Sequence, residues 1–364
     1  MSESAQLAEE AKLDGIREVA VVRTVLGDIP ATELGVTLPH EHVLVDGSCW
    51  FQEPEAASEK WLAHQPVSLD ILWWLRYHPF YQNLDDIVLS DEALAEDELL
   101  RFKREGGTAI VDLTNVGIGR DPDALVRVSR STGLHIIMGA GYYTEASQRG
   151  KAPAGSVKDL AEAIARDATE GVGRFRARAG VIGEVGTTWP ITEVETRSLQ
   201  AAAGAQKLTG LGVNVHPGQS AEAPMAIVRI LDSAGANLSR VAISHLDRAL
   251  RDLSALKELA RSGVFLEYDL FGDEGYYPMG FRVIDLPNDA QRINEIRELM
   301  AAGYERQILI SHDICTKRQL CKYGGFGYGH ILRNTVPVMA AKGMTQDEID
   351  QLIIHNPRLF LAIS

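Results

Sequence analysis

His40 and His42 stand two apart in the run Gly35-Val36-Thr37-Leu38-Pro39-His40-Glu41-His42-Val43-Leu44-Val45-Asp46. In a strand the side chains alternate, so both imidazoles face one way, Glu41 faces the other, and the pair can hold one cation. Alone, a His-x-His pair is a weak signal. Four later segments add to it, each a short apolar or β-branched run ending in one metal-ligating residue. They are Val181-Ile182-Gly183-Glu184, Val213-Asn214-Val215-His216, Val241-Ala242-Ile243-Ser244-His245 and Ile308-Leu309-Ile310-Ser311-His312-Asp313. Each run is too short for a helix.

Four imidazoles and two carboxylates suit zinc, or a similar first-row ion such as Mn2+, Co2+ or Fe2+, better than magnesium or calcium. Six protein ligands exceed what one tetrahedral catalytic zinc accepts. Two divalent ions about 3.5–4 Å apart, bridged by a carboxylate and a hydroxide, account for the surplus. The charges of two dications outweigh those of Glu184, Asp313 and a hydroxide, which leaves a positive centre able to polarise a carbonyl or phosphoryl oxygen. The expected reaction is hydrolysis: the bridging hydroxide attacks, the more exposed metal polarises the substrate, and Asp313 orients the hydroxide and takes its proton. His312 faces away from the barrel interior by alternation and reads as structural. His64, His78, His135, His330 and His355 have no ligand context.

These ligands need a scaffold that brings strand ends together. Eight strand-like runs, near 37–46, 107–115, 134–142, 180–187, 212–217, 241–247, 264–270 and 308–314, are each followed by a helical segment. Such alternation predicts an α/β fold, a closed parallel (β/α)8 TIM barrel, with the ligands at one mouth. Helices are expected over 156–171, 193–209, 221–235, 250–262 and 288–303. Asp121-Pro122 and Ser90-Asp91-Glu92 are helix starts. A short N-terminal β extension, Val19 to Ile29 with a Gly27-Asp28 turn, precedes the barrel. Residues 1–21 read as a flexible or helical tail and 22–364 as a single barrel domain. An insertion over 47–89 is dense in aromatics, among them Trp50, Trp61, Trp73, Trp74, Tyr77, Phe80 and Tyr81. Its stretch Leu69 to Tyr81 reads first as an apolar helix packing on the barrel or on a second subunit, with substrate contact the alternative. After the seventh strand, Gly272-Asp273-Glu274-Gly275-Tyr276-Tyr277-Pro278 begins a candidate lid.

The chain has 364 residues, 45% of them hydrophobic and 24% charged, and no apolar stretch long enough for a membrane span. Its net charge of −14 argues against nucleic acid. The start lacks the features of a secretory signal, and three cysteines without a metal or redox spacing (Cys49, Cys315 and Cys321) fit a reducing compartment, so a cytoplasmic location is expected. Cys315, two residues past Asp313, reads first as a small buried hydrophobe, with a place at the border of the site the alternative.

At these residues the chain resembles the phosphotriesterase family of the amidohydrolase superfamily, and within it the phosphotriesterase-related, or resiniferatoxin-binding protein-like, branch. The resemblance runs from about Val22 to the end. It rests on Gly35-x-Thr37-Leu38-x-His40-Glu41-His42, on Val111-Asp112-Leu113-Thr114 through Gly117-Ile118-Gly119-Arg120-Asp121, and on Gly183-Glu184-Val185-Gly186 with Trp189-Pro190. Further matches are His216-Pro217-Gly218, Ser244-His245-Leu246-Asp247-Arg248, Leu266-Glu267-Tyr268-Asp269-Leu270-Phe271-Gly272 and Lys322-Tyr323-Gly324-Gly325-Phe326-Gly327-Tyr328. Where phosphotriesterases proper carry a carbamylated lysine bridging the metals, this chain has Glu184, which supplies the same charge directly. Where they place a histidine after the strand-seven aspartate, it reads Asp269-Leu270, which argues against efficient organophosphate hydrolysis.

The resemblance implies a binuclear zinc hydrolase of a small molecule with a carbonyl group: an amide such as an N-acyl amino acid or N-acyltaurine, an ester, or a lactone. A phosphoester or phosphotriester hydrolase is the alternative, and a ligand-binding protein without catalysis is a third reading. Arg248 suits a carboxylate or sulfonate, while Tyr143, Trp189, Tyr276 and Tyr323 are candidate pocket walls. The aromatic insertion and the resemblance both favour a homodimer.

Overall fold

A computed structural model of the chain describes residues 20–148, 155–274, 278–279, 282–283 and 286–363. Eight parallel strands form the sheet: β1 (Thr37–Glu41), β2 (Ala109–Asp112), β3 (His135–Ala140), β4 (Val181–Gly186), β5 (Val213–His216), β6 (Val241–Ile243), β7 (Phe265–Tyr268) and β8 (Ile308–Ile310). They follow one another in sequence order around a nearly closed (β/α)8 barrel. All five expected helices form, as Val157–Thr169, Glu193–Thr209, Ala223–Ser233, Leu253–Arg261 and Asp289–Leu299. Asp121 caps Pro122–Thr132 by accepting from Ala124 N–H, and Asp91 caps Glu92–Arg104 by accepting from Ala93 and Leu94 N–H. None of the helices among the described residues is long and apolar enough to cross a membrane.

Closure between β8 and β1 depends on Glu41, the residue between the paired histidines. Its carboxylate accepts from Ser311 Oγ (2.8 Å), from the amides of His312 (3.0 Å) and Ile314 (2.9 Å), and from His312 Nδ1 (2.7 Å). Backbone bonds from Asp313 N–H to His40 C=O (3.3 Å) and from His42 N–H to Ile314 C=O (3.2 Å) complete the seam. Alternation thus gives His40 and His42 to the site and Glu41 and His312 to the wall.

Two expectations shift. The run 37–46 divides: β1 ends at Glu41, and Val45–Asp46 pairs antiparallel with Val88–Leu89 to form the neck of the insertion. The N-terminal ribbon pairs Val21–Thr24 with Gly27–Pro30, so its turn is Val25-Leu26 rather than Gly27-Asp28. Thr24 Oγ1 closes that turn by donating to Gly27 C=O (2.8 Å), and Gly27, at φ +129°, supplies a conformation other residues rarely adopt. The ribbon is ordered from Ala20, inside the range expected to be tail; residues 1–19 lie outside the described residues. Val21 exchanges two backbone bonds of 2.8 Å with Ile363. Val22, Leu34, Phe360 and Leu361 then pack with Ala109, Val181, Phe265 and Leu309 to close one end of the barrel.

In the insertion, helix Leu69–Tyr77 buries Ile71, Leu72, Trp74 and Leu75 in a small core with Leu62 and Val67. Its opposite stripe, Leu69, Trp73 and Tyr77, is 84%, 60% and 70% exposed. The segment after it, Phe80 and Tyr81, turns instead to the barrel mouth.

Candidate metal centre

Glu184 Oε1 lies 2.9 Å from His245 Nε2, 3.1 Å from His216 Nδ1 and 3.3 Å from His40 Nε2. Asp313 Oδ1 lies 3.3 Å from His42 Nε2 and 3.6 Å from His40 Nε2. The six residues expected to bind metal therefore meet as two groups, His40 with His42 and His216 with His245, joined by Glu184, with Asp313 beside the first.

Local irregularities aim these side chains. The β1–β2 register slips between Leu38 and Glu41, where Pro39 has no N–H to give, and the β4–β5 register slips between Ile182 and Val185. Each extra residue turns the ligand beside it, His40 or Glu184, away from a regular ladder. Gly183 permits the second slip: its φ is +142°, and a Cβ there would meet Asn214 C=O at 2.6 Å. The Gly183–Glu184 peptide is cis. His245 and Asp313 adopt left-handed backbone at φ +52° and +51°, each costing on the order of 1 kcal/mol, a strain typical of residues fixed by a site.

A further layer of side chains orients the ligands. Asp269 Oδ1 lies 2.7 Å from His245 Nδ1 and Asp269 Oδ2 3.1 Å from His40 Nδ1. Thr114 Oγ1 is 2.9 Å from His42 Nδ1. Glu267 Oε2 is 3.2 Å from His40 Nδ1 and accepts from Asn214 Nδ2 (2.6 Å) and Ser244 Oγ (2.9 Å). Thr114, Asp269, Glu267, Asn214 and Ser244 were not among the residues expected from sequence. One signal was available, since Glu267 and Asp269 are two apart on a strand, as His40 and His42 are.

Burial opposes charge throughout the cluster and raises the carboxyl of Glu267, but at Glu184 and Asp269 the neighbouring imidazoles outweigh it. The imidazoles of His216 and His40 hold Glu184 well below the usual carboxylate range, and those of His245 and His40 do the same for Asp269. Against its own burial, His40 is held well above the ordinary histidine value by Asp269, Glu184 and Glu267. His245 is raised to about 9 against its burial, chiefly by Asp269. Burial instead takes His216 down to about 4 despite Glu184. Around His40 and His245 the field thus favours positive charge.

The residues fit divalent metal. His40 Nε2 is buried with no hydrogen-bond partner, and an imidazole nitrogen left so is costly unless something electropositive meets it. Glu184 Oε1 faces nitrogens of both groups. One ion would be held by His40, His42 and Asp313 with Glu184, and the other by His216 and His245 with Glu184. Nδ1 contacts such as that of His245 to Asp269 are what orients a ligating imidazole.

Over this centre opens a cavity of 660 Å³. His42, His216 and Asp313 line it, as do Arg248, Tyr143 and Trp189. Tyr143 Oη lies 3.1 Å from His216 Nδ1, and burial keeps the phenol protonated, with Glu184 and Asp313 adding to the shift. Arg248 Nη2 is 3.2 Å from His216 Nε2, and among the described residues no carboxylate pairs with it. Tyr323 does not line the cavity; it packs on the insertion core of Leu72 and Trp74. Tyr276 lies outside the described residues. Cys315 and Leu270 do line the cavity.

The model of the phosphotriesterase family matches residues 20–361. The chain belongs to the phosphotriesterase family. It is 42% identical over 343 residues to the N-acetyltaurine hydrolase of Homo sapiens, covering 94% of this chain and 97% of that one. It is 41% identical over 345 residues to a phosphotriesterase-related protein of Nematostella vectensis, covering 94% and 98%. A solved resiniferatoxin-binding protein from Rhodobacter sphaeroides superposes with a TM-score of 0.90 at 36% identity, over 94% of each chain. This phosphotriesterase-family chain is a metal-dependent hydrolase, with a cluster of His, Glu and Asp able to hold the metal.

Proposed function

We propose that this phosphotriesterase-family hydrolase uses two zinc ions to cleave an amide whose amine side carries a carboxylate or sulfonate, with esters and lactones as further carbonyl substrates. The observation that carries the binuclear reading is Glu184 Oε1, set within 3.3 Å of nitrogens from three histidines that belong to two different groups. Two bound divalent ions would supply water activation at neutral pH and polarisation of the substrate oxygen. Asp313, at the edge of the cavity, takes the proton from the attacking water and returns it to the leaving amine. Tyr143, held protonated, donates toward the substrate oxygen beside His216. Arg248 anchors the anionic end through a charge-assisted bond.

The relatives named N-acetyltaurine hydrolase support the amide and the sulfonate. Leu270 on the cavity wall weighs against a phosphotriester substrate, because an aliphatic side chain there relays no proton. The exposed stripe of Leu69, Trp73 and Tyr77 supports the homodimer, which sedimentation of the wild type and of Trp73→Glu tests.

The deciding experiment pairs metal analysis with a panel of N-acyl amino acids, N-acyltaurines, lactones, aryl esters and paraoxon-like triesters. Two metals per chain with amide turnover support the reading. A fully metallated sample that hydrolyses no carbonyl compound overturns it, and triester rates equal to amide rates move it to phosphoryl chemistry. Asp313→Asn, which should lose turnover while keeping some metal, separates a catalyst from a binding protein, which should barely change.

A further inference from the structure

Apart from Leu270 and Leu286, which follow β7 on the Arg248 side, the cavity is divided in character, and the strand order says how. Arg248 follows β6, while an apolar arc of Val45, Trp50, Phe80, Tyr81, Ile87 and Ile118 comes from the segments after β1 and β2. In the sequential order of the barrel, β2 stands four places from β6, so the arc faces Arg248 across the mouth. His42, His216 and Asp313 lie on the floor between them.

The arc carries no unmatched charge. Arg318, a cation from the loop after β8 that also lines the cavity, is held by the fully buried carboxylate of Asp86 and by the carbonyls of Leu75 and His78. That ion pair ties the end of the loop after β8 to the insertion, so the chamber wall is braced from both sides. A volume of 660 Å³ falls within the range of about 300–1,000 Å³ that accommodates drug-sized ligands. That volume takes in the floor and the Arg248 side as well as the arc, and an acetyl group would set a single methyl against the arc's apolar side chains.

Resting on the amide-hydrolase reading above, we infer that the preferred substrate joins a small anionic amine to a bulky apolar acyl group, a medium aliphatic chain or an aromatic ring, seated in the arc of Trp50, Phe80 and Tyr81. The anion at Arg248 and the acyl group in the arc then hold the scissile carbonyl over the floor from opposite sides, so both ends contribute to orientation. The acyl chamber is built largely by the insertion after β1. The aromatic density of that segment is thereby divided between its own small core (Trp74) and the substrate wall (Trp50, Phe80 and Tyr81).

The test is a series of N-acyltaurines and N-acylglycines from acetyl through decanoyl, with benzoyl, on the metal-loaded full chain. Expected is a rise in kcat/KM of about fourfold per added methylene until the chamber fills. Phe80→Ala and Tyr81→Ala, both on a surface segment, are expected to flatten that rise mainly through KM, with metal content unchanged. A series in which acetyl is the best substrate, or in which neither variant alters the dependence on acyl length, overturns the inference and leaves the amide-hydrolase reading standing. No turnover of any amide by a sample holding both metals overturns that reading and this one with it.

Discussion

Asp269 Oδ1 lies 2.7 Å from His245 Nδ1, and through its other oxygen, 3.1 Å from His40 Nδ1, the same carboxylate reaches the second histidine group. One side chain on β7's end therefore orients an imidazole in each half of the centre. Asp269→Asn is expected to weaken retention of both ions, by about 10–100-fold each, measured by competition with a chromogenic chelator. Thr114→Val, which among the four histidines alters only the contact to His42, should weaken one ion and spare the other. Equal loss of both ions in the Thr114 variant would refute this division.

Glu267 shares the His40 Nδ1 contact with Asp269 and is also tied to Asn214 and Ser244. Because Asp269 still accepts from His40, Glu267→Gln should cost less metal affinity than Asp269→Asn, and only on the His40 side. The same titrations read this out, and a larger loss than in the Asp269 variant would reverse the assignment.

These orienting residues mark where the sequence stops being legible. His40, His42, Glu184, His216, His245 and Asp313 could be read because each ends an apolar run, and alternation then dictates which way it faces. The (β/α)8 order was legible for the same reason. Glu267 lies on β7 and Asp269 just past its end, but carboxylates have many structural uses, and only the distances to His40 and His245 give these two a role. The split of the run 37–46 was hidden because Val43, Leu44 and Val45 are apolar whether they continue β1 or form the neck of the insertion. For Tyr323 the sequence leaves pocket wall and core packing open, because the core it packs on, Leu72 and Trp74, is distant in sequence.

Arg248 lines the cavity with no carboxylate partner among the described residues. A hydrogen bond to a charged group contributes about 1.5–3 kcal/mol, so Arg248→Met should lower kcat/KM for N-acyltaurines and N-acylglycines by about 10–150-fold, chiefly in KM. Neutral aryl esters should be cleaved at nearly unchanged rates. A parallel loss on esters would show instead that Arg248 acts through His216, which it touches at 3.2 Å.

Metal removal should make stability depend on pH in a defined direction. His245 is raised to about 9 in the folded chain, from an ordinary value of 6.5, against its burial and mainly by Asp269. A raised histidine contributes stability that is fully present below 6.5 and is lost as pH climbs through about 9. For chelator-treated protein the loss is on the order of 3 kcal/mol, and Tm should fall between those two pH values. A metal ion takes the place of protons on ligating imidazoles, so the zinc-loaded protein should keep its Tm across the same window. Parallel curves for the two forms would count against His245 as a ligand.

Arg292 is fully buried between two loops of the barrel mouth. Its Nε donates to Asp247 Oδ2 (2.8 Å), two residues past His245, its Nη1 to Asp289 Oδ1 (2.9 Å), and its Nη2 to the carbonyl of Asp273 (2.7 Å). Burial lifts Asp247 to about 6, with Arg292 pulling the other way. Arg292→Met strands that carboxylate and should cost about 3–5 kcal/mol in urea unfolding. Adding Asp247→Asn should restore part of this, because the uncompensated charge is gone. Asp273 and Asp289 flank the segment after β7, and Asp289 also accepts from Gly272 N–H (3.0 Å). At permissive temperature the Arg292 variant should therefore raise KM more than it lowers kcat, through a looser placement of Asp273 and Leu286 on the cavity wall. A fall in kcat alone, with KM and unfolding free energy unchanged, would remove Arg292 from this anchoring role.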